Sequence, residues 1–220
     1  EQTLGAGEAL VAVAGTGICG SDLHAYEWVP EYGWLEPHLP TILGHEIGGT
    51  VLDGGASGLA PGTVVAVRPA VTCGRCDACK RNVSQRCPNR VRIGSEPDGG
   101  LASQVVAPAE NLYPLPDELA ALAPLVEPLT VAVHSIGRAA VRPGAGAAVI
   151  GCGAIGLMSV EVLRARGADP VLLVGTEDDE RGGGLAIGQG YGAVPLVAGS
   201  AEMAGWAGSC ESVIAAAGAP

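Results

Sequence analysis

Short apolar runs separated by glycine and proline dominate the first half of the chain. Residues 10–14 and 64–67 are runs of strand length, and further strands are expected within 99–107 and 112–116. Apolar runs bounded by turn residues are typical of buried strands. The chain contains 35 Gly and 16 Pro, which favours many tight turns over a helical bundle. The pattern therefore predicts a β-rich first half.

The second half alternates between strand and helix patterns. Its predicted elements are helices at 117–122 and 125–137, a strand at 147–150, a helix from there to about 166, and strands at 171–174 and 212–217. Such alternation is typical of a parallel sheet covered by helices. A further helix is expected after Asp179, but Gly182, Gly183 and Gly184 interrupt it. Each glycine costs about 1 kcal/mol relative to alanine in a helix, so we expect this helix to be weak or broken.

A glycine-rich turn follows the strand at 147–150 and precedes a helix. The G-x-G-x-x-G spacing between a strand and a helix is a dinucleotide fingerprint, because the glycines permit a tight turn and the helix N-terminus offers free N–H groups to phosphates. The candidate cofactor-binding residues are Gly151, Gly153, Ala154, Ile155, Gly156, Gly175 and Thr176.

The cofactor's identity depends on the end of the next strand. An acidic residue about 20 positions past the fingerprint binds the adenosine ribose in NAD enzymes. Gly175 removes that carboxylate, as in proteins that use NADP, whereas Glu177 and Asp178 would repel a 2′-phosphate. The sequence leaves NAD and NADP open.

Four of the seven cysteines crowd into one short stretch. Cys73, Cys76, Cys79 and Cys87 have the spacing C-x2-C-x2-C-x7-C. Four thiolates can surround a zinc ion at about 2.3 Å each in a closed structural site, whereas a disulfide scaffold is the alternative. The stretch also carries interleaved basic residues, namely Arg75, Lys80, Arg81, Arg86, Arg90 and Arg92. A nucleic-acid-binding zinc module is therefore a second alternative, although a four-thiolate zinc centre is itself negative and basic groups offset its charge.

A second group of potential ligands consists of Cys19, His45 and Glu46. Thiolate and imidazole suit zinc, and a carboxylate can complete the coordination sphere. Ser21 and His24 follow the cysteine at short spacing and could carry a proton between a metal-bound oxygen and water. The loop at 26–40 separates these ligands and carries aromatic residues, so we expect it to form a wall of a substrate pocket rather than a simple surface flap.

The overall composition restricts the class of protein. The net charge is −11, which is opposite to that of a general nucleic-acid binder. The longest apolar run, 143–158, is short and broken by glycine, so a membrane helix is rejected. An odd number of cysteines with four in one cluster favours a metal site in a reducing compartment. We therefore expect a cytoplasmic protein with no membrane partner.

Taken in chain order, GICGSDLH, GHEIGGTV, the four-cysteine cluster, EPLTVAVHS and GCGAIG resemble the zinc-dependent medium-chain alcohol dehydrogenase family. The resemblance covers nearly the whole chain and is strongest to its sorbitol, butanediol and threonine dehydrogenase branches. It implies an α/β fold with a β-rich start: a GroES-like catalytic domain at 1–124, with a structural-zinc lobe at 73–87, and a partial Rossmann doubly wound sheet at 125–220.

The resemblance also implies roles for individual residues. Two zinc ions per chain are expected, a structural one on the four cysteines and a catalytic one on Cys19, His45, Glu46 and Glu127. The glutamate at 127 stands where other members of the family have a cysteine ligand. Asp22 is expected to orient the histidine from behind, and hydride is expected to pass between the alcohol and NAD or NADP.

The substrate remains open among a secondary alcohol, a diol, a polyol and a hydroxy amino acid. A homo-oligomer, dimer or tetramer, is implied for the full-length protein. The family's opening and closing strands have no counterpart, so the chain is expected to be a fragment lacking both ends, with negligible turnover by itself. A zinc-stabilised nucleotide-binding module without catalysis is the alternative function.

Overall fold

The structure is a computed structural model and describes residues 4–218. It divides into two compact units, Glu1–Glu127 and Pro128–Pro220. Each unit has its own sheet and its own cluster of buried apolar side chains.

The described part of the first unit is built mainly from strands, as predicted. Its elements are β1 (Glu8–Gly17), β2 (Glu46–Asp53), β3 (Val64–Val67), β4 (Ala70–Val71), β5 (Val91–Arg92), β6 (Gln104–Pro108), β7 (Leu112–Pro114), α1 (Gly20–Tyr26) and α2 (Asp77–Lys80). Five strands form an antiparallel sheet in the order β6-β1-β2-β3-β7, and β4 pairs with β5 in a separate ribbon. Val11 pairs with both Val51 and Val105, and all three side chains are buried. The apolar face of the sheet is thus the core of this unit.

Two segments of the first unit form 3-10 helices. The expected loop at 26–40 contains the 3-10 helix Pro30–His38, and the short helix expected at 117–122 is the 3-10 helix Asp117–Leu125. Proline at the first position is compatible with a helix start, while a proline inside the segment prevents a regular α-helical ladder. Pro37 and Pro124 occupy such interior positions. The remaining 3-10 turns are Gly55–Ser57, Ser84–Arg86 and Ala109–Asn111.

The second unit is a parallel sheet with helices, as the alternation predicted. Its elements, together with the helix that enters it from the first unit, are α3 (Val126–Ala139), β8 (Ala147–Ile150), α4 (Ala154–Ala165), β9 (Val171–Gly175), α5 (Glu177–Arg181), α6 (Gly184–Gly190), β10 (Val194–Val197), α7 (Ala201–Ala204) and β11 (Ser212–Ala215). The strand order is β10-β9-β8-β11, and every pairing is parallel. Val149 and Leu173 are fully buried on one face of this sheet, while Leu172 and Leu196 are buried in a separate cluster. Both faces are apolar, which explains why these strands read as continuous apolar runs.

The predicted break in the helix after Asp179 is confirmed. The helix α5 ends at Arg181 and α6 begins at Gly184. Gly183 between them has φ 83°, a conformation that glycine adopts readily. The glycine run therefore turns one long helix into two short ones.

One helical run, Asp117–Ala139, has the length and mean hydropathy, 1.6, of a membrane span. Core helices of proteins without a membrane segment have the same composition, so this run is weak evidence for a bilayer. The apolar run 143–158, for which a membrane helix is rejected, contains a turn, β8 and the first part of α4.

Candidate metal centres and nucleotide-binding loop

The pairing of β1 with β2 brings the first group of predicted ligands together. Cys19 follows β1 and caps the start of α1, while Glu46 opens β2 and pairs with Gly17. One ligand atom from each of Cys19, His45 and Glu46 lies within 4.8 Å of the others. Thiolate, imidazole and carboxylate within this radius form a donor set that zinc accepts. The site is half-enclosed, since the histidine is buried and the other two side chains are partly exposed.

Asp22 lies behind this cluster and holds it in three places. Its Oδ2 accepts a hydrogen bond from the Cys19 N–H at 2.9 Å, and its Oδ1 accepts one from the Gly44 N–H at 3.2 Å. The same Oδ1 lies 3.4 Å from Nδ1 of His45. A carboxylate on Nδ1 orients the ring and leaves Nε2 available for a metal. The structure therefore places Asp22 where a group that orients the histidine should lie.

The charges of these groups stabilise one another. The hydrogen bond from His45 lowers the pKa of the Cys19 thiol, and Ser21 lowers it further. The contacts with Asp22 and with Cys19 raise the pKa of His45 to about 10. Burial alone would raise the pKa of Asp22, but the hydrogen bonds from His45 and from the Cys19 N–H lower it below its usual range. The lowered pKa of Cys19 favours the thiolate, the form that binds metals.

Glu127 faces the same cluster without joining it. It lies in the first turn of α3 and is half-buried, and burial raises its pKa. The pKa of Glu46 is raised first by burial and then by the charge of Glu127. The charges of the two carboxyl groups therefore interact. Only Glu46, however, belongs to the group whose donors lie within 4.8 Å of one another.

Ser21 and His24, the predicted proton carriers, occupy different surroundings. Ser21 contacts the Cys19 thiol, whose charged form it stabilises. His24 is exposed on α1, and its ring meets that of Tyr32 edge-on with centroids 6.0 Å apart. In the hydrogen-bond pattern of residues 4–218, no direct bond joins the serine to the histidine. A proton path through both residues would need water between them.

Two residues near the cluster are not identified by sequence reasoning. A Cβ at Gly17 would lie 1.9 Å from Oε2 of Glu46, so any other residue would displace this carboxylate from its observed position. Arg92 lines a crevice of about 10 Å³ beside α1, together with Asp22 and Trp34. The glycine stands inside the GICGSDLH run, which is a signal that could have singled it out. In the sequence, the arginine cannot be distinguished from the other basic residues around the cysteines. Its position beside α1 depends on strand pairing, which the local sequence does not reveal.

The four clustered cysteines surround a common centre. The Sγ–Sγ distances are 3.5 Å from Cys76 to Cys79, 3.8 Å from Cys76 to Cys87 and 3.6 Å from Cys87 to Cys73. A disulfide requires about 2.05 Å, whereas ligands at about 2.3 Å from one tetrahedral ion lie about 3.8 Å apart. Backbone N–H groups of Arg75 and Cys76 lower the pKa of Cys73 to about 6. The donor set and its spacing fit a zinc ion.

The glycine fingerprint forms the predicted turn between β8 and α4. A Cβ at Gly156 would lie 1.9 Å from the Gly151 carbonyl oxygen, so this crossing demands glycine. Gly153 precedes the first residue of α4, and the Leu157 N–H donates to its carbonyl at 3.0 Å. The N–H groups of Ala154, Ile155 and Gly156 belong to the first turn of α4, where a helix offers no acceptor of its own. They are therefore available to a phosphate at the helix start.

The structure explains why a glycine, Gly175, stands at the end of β9, where NAD enzymes have an acidic residue. A Cβ at Gly175 would lie 2.6 Å from Sγ of Cys152 and 2.9 Å from Cβ of Asp179. Thr176 caps α5: its hydroxyl accepts from the Asp179 N–H at 3.2 Å, and its own N–H donates to the Asp179 carboxylate at 2.7 Å. The glycine is thus required by local packing, and its presence is not by itself a mark of NADP use.

Comparison with known proteins adds an independent line of evidence. The family model for the alcohol dehydrogenase GroES-like domain matches residues 5–117, just over half of the chain. L-threonine 3-dehydrogenase from Pyrococcus furiosus is 35% identical over 190 residues, covering 85% of this chain and 54% of the relative. Sorbitol dehydrogenase from Bacillus subtilis is 37% identical over 174 residues, covering 77% and 49%.

A solved structure from Escherichia coli, described as a short-chain alcohol dehydrogenase complexed with NADH, superposes with a TM-score of 0.83. It is 29% identical and covers 99% of this chain and 64% of that one. These matches confirm the predicted fold class, a GroES-like domain followed by part of a Rossmann sheet. The chain spans about half the length of the curated relatives it matches.

Proposed function

Because the chain belongs to the zinc-type medium-chain alcohol dehydrogenase family, we propose that the protein transfers hydride between an alcohol and NAD or NADP. The substrate class comprises secondary alcohols, diols, polyols and hydroxy amino acids, since the relatives include a sorbitol and a threonine dehydrogenase. The free thiols that this function requires fit a reducing compartment such as the cytoplasm.

The observation that carries the proposal is the cluster of Cys19, His45 and Glu46 with Asp22 behind it. Three donors of the types zinc prefers lie within 4.8 Å of one another, which leaves a further coordination position for a substrate. A closed site with four protein ligands would serve only a structural role. Glu127, held outside the group but facing it, is the candidate for an exchangeable additional ligand.

Each residue of the site has a distinct role in this proposal. Zinc, when bound, would act as a Lewis acid that favours the deprotonated alcohol. Cys19 contributes a thiolate whose charge His45 and Ser21 stabilise. Asp22 keeps the histidine ring in place. His24, exposed at the outer end, exchanges the released proton with solvent.

The other two sites support this chemistry without taking part in it. We assign a second zinc to Cys73, Cys76, Cys79 and Cys87, where it fixes the lobe between β4 and β5. The loop Gly151–Gly156 is assigned to the pyrophosphate of the cofactor, whose nicotinamide supplies the hydride acceptor.

The proposal is tested by measuring zinc and hydride transfer in the same preparations. We expect close to two zinc ions per chain and reduction of a nicotinamide cofactor by an alcohol. Cys19→Ser should lose one zinc and lower the rate on the order of 10²- to 10⁴-fold, since Lewis-acid stabilisation is worth several kcal/mol. Cys210 is a free cysteine outside both clusters. Cys210→Ser is therefore the matched control and should change neither the zinc content nor the rate. Two zinc ions with cofactor binding but no oxidation of any alcohol would favour a binding module instead.

A further inference from the structure

We propose that Arg92 recognises an anionic group, a carboxylate or a phosphate, on the alcohol substrate of the Cys19–His45 site. This inference rests on the proposed dehydrogenase function and narrows its substrate class. The favoured substrates are alcohols that carry such a group close to the reacting hydroxyl, and neutral polyols are disfavoured.

The backbone holds Arg92 in a fixed position. Its Cα pairs with that of Ala70 in the β4–β5 ribbon, and its N–H donates to the Glu96 carboxylate at 2.8 Å. Its carbonyl accepts from the N–H groups of Ser95 and Glu96, each at 3.1 Å. The next residue, Ile93, is buried with 1% exposure, while Arg92 is exposed. The buried isoleucine and these hydrogen bonds therefore fix the backbone of Arg92, while its side chain remains exposed.

The arginine points towards the elements that carry the metal ligands. It lines the crevice of about 10 Å³ that Ser21 and Asp22 line from α1. Tyr32 and Trp34, from the 3-10 helix that follows α1, complete the same wall. Ser21 contacts Cys19 and Asp22 contacts His45, so the crevice lies directly beside the candidate catalytic ligands.

The charge of Arg92 is not used for holding the fold. No carboxylate of residues 4–218 forms an ion pair with its guanidinium, whereas Arg142 pairs with Glu211 and Arg164 with Asp169 at 2.8 Å. Its positive charge nevertheless reaches the site. Burial raises the pKa of Glu127, and the positive charges of His45 and Arg92 partly offset that rise. An exposed guanidinium within electrostatic range of the site is available for a ligand.

Arg92 adds an exposed cation beside a site that already contains the carboxyl groups of Asp22, Glu46 and Glu127. A neutral polyol gains little from a guanidinium at this place, whereas a carboxylate or phosphate gains a charged hydrogen bond. The planar guanidinium of Arg92 matches both groups in a bidentate arrangement.

The test compares matched substrates on the zinc-loaded protein and on Arg92→Gln. The pairs are L-threonine with threoninol, for a carboxylate, and sorbitol phosphate with sorbitol, for a phosphate. We expect the variant to lower kcat/KM for the anionic member of one pair by about 10- to 100-fold, as expected for loss of a charged hydrogen bond. The neutral member should change by less than about twofold. The pair that responds identifies the anionic group.

Two further variants separate recognition from general charge effects. Arg92→Lys should retain part of the preference, because it keeps the charge but loses the planar fork. Arg90→Gln removes the same charge from a side chain that contacts the Gln85 carbonyl at 3.4 Å, and it should leave both pairs unchanged. Equal effects of Arg92→Gln on both members, or a wild-type preference for both neutral members, would overturn the inference while leaving the dehydrogenase function intact.

The inference can also be decided without turnover. If no alcohol is oxidised, the proposed function fails, but binding of L-threonine and sorbitol phosphate can still be followed by tryptophan fluorescence, since Trp34 lines the same crevice. Quenching in the wild type that Arg92→Gln abolishes supports anion recognition. Identical titrations of the two proteins would contradict it.

Discussion

The two candidate metal centres are built in opposite ways. The four cysteines come from one stretch of chain, between β4 and β5, and they contribute four identical donors. Cys19 follows β1, whereas His45 and Glu46 lie at the start of β2, and the three residues contribute three different donors. A local, uniform set can be recognised from spacing, whereas a dispersed, mixed set depends on the register of a sheet. Each donor set suits a different purpose, since a closed sphere serves structure and an open position serves chemistry.

The two centres also differ in what supports them without metal. Within residues 72–90, Cys87 is the only buried side chain, so the lobe has no apolar core of its own. The Cys19 site, in contrast, adjoins the β1–β2 pairing, whose Val11 and Val51 belong to the core of the first unit. A metal can therefore supply folding free energy to the lobe, while the sheet already holds the other site in place.

The largest expected difference between the two centres is the loss of stability on removal of a lobe cysteine. Cys76→Ser should lose one zinc and lower the free energy of unfolding by roughly 3 kcal/mol or more, since the lobe loses its main stabilising element. Cys19→Ser should lose the other zinc with less than about 1 kcal/mol of destabilisation. Denaturant unfolding with zinc analysis measures both quantities. Equal destabilisation by the two substitutions would show that the centres do not differ in this way.

A smaller effect is expected at the residue behind the open site. Asp22→Asn should weaken zinc binding at Cys19 and His45 by about 10- to 100-fold, as is typical for loss of a carboxylate that orients a histidine ligand. The amide keeps a hydrogen-bond acceptor for the Cys19 N–H but loses the charge facing the imidazole. Zinc competition titrations measure the effect, and the four-cysteine centre in the same protein is the internal control. Unchanged affinity would remove Asp22 from its positioning role.

The smallest expected effect is the pH dependence of zinc binding at the Cys19–His45 site. In the metal-free site the pKa of His45 is raised from 6.5 to about 10, so its proton stabilises the fold below pH 6.5 and this contribution disappears as the pH rises to about 10. Zinc must displace that proton, and its apparent affinity should therefore rise by about tenfold per pH unit over this range. The pKa of Cys19 is lowered, so its thiol should contribute to the slope at lower pH than an ordinary cysteine would.

The measurement is a chelator competition at several pH values on protein whose four-cysteine centre is already filled. Asp22→Asn should give a shallower dependence, because the main cause of the raised histidine pKa is removed. A pH-independent affinity in the wild type would contradict protonation of His45 in the metal-free site.

Much of this protein could be predicted from its sequence. The C-x2-C-x2-C-x7-C spacing needs only a short loop to close around an ion, and Gly151–Gly156 needs only the strand and helix beside it. The interrupted helix at Gly182–Gly184 and the alternation of strands and helices are likewise local properties, since backbone preferences act within a few residues. The resemblance to alcohol dehydrogenases added the global fold, which the family match confirmed.

Other features depended on the tertiary structure, because they arise from pairs of residues far apart in the chain. The register Gly17–Glu46 decides which carboxylate joins Cys19, and it requires a glycine whose function no local pattern reveals. Arg92 is exposed and lines a crevice beside α1, and only the folded chain distinguishes this arginine from its basic neighbours. Spacing along the chain determines local ligand sets, whereas strand pairing and burial determine which charges face one another across a site.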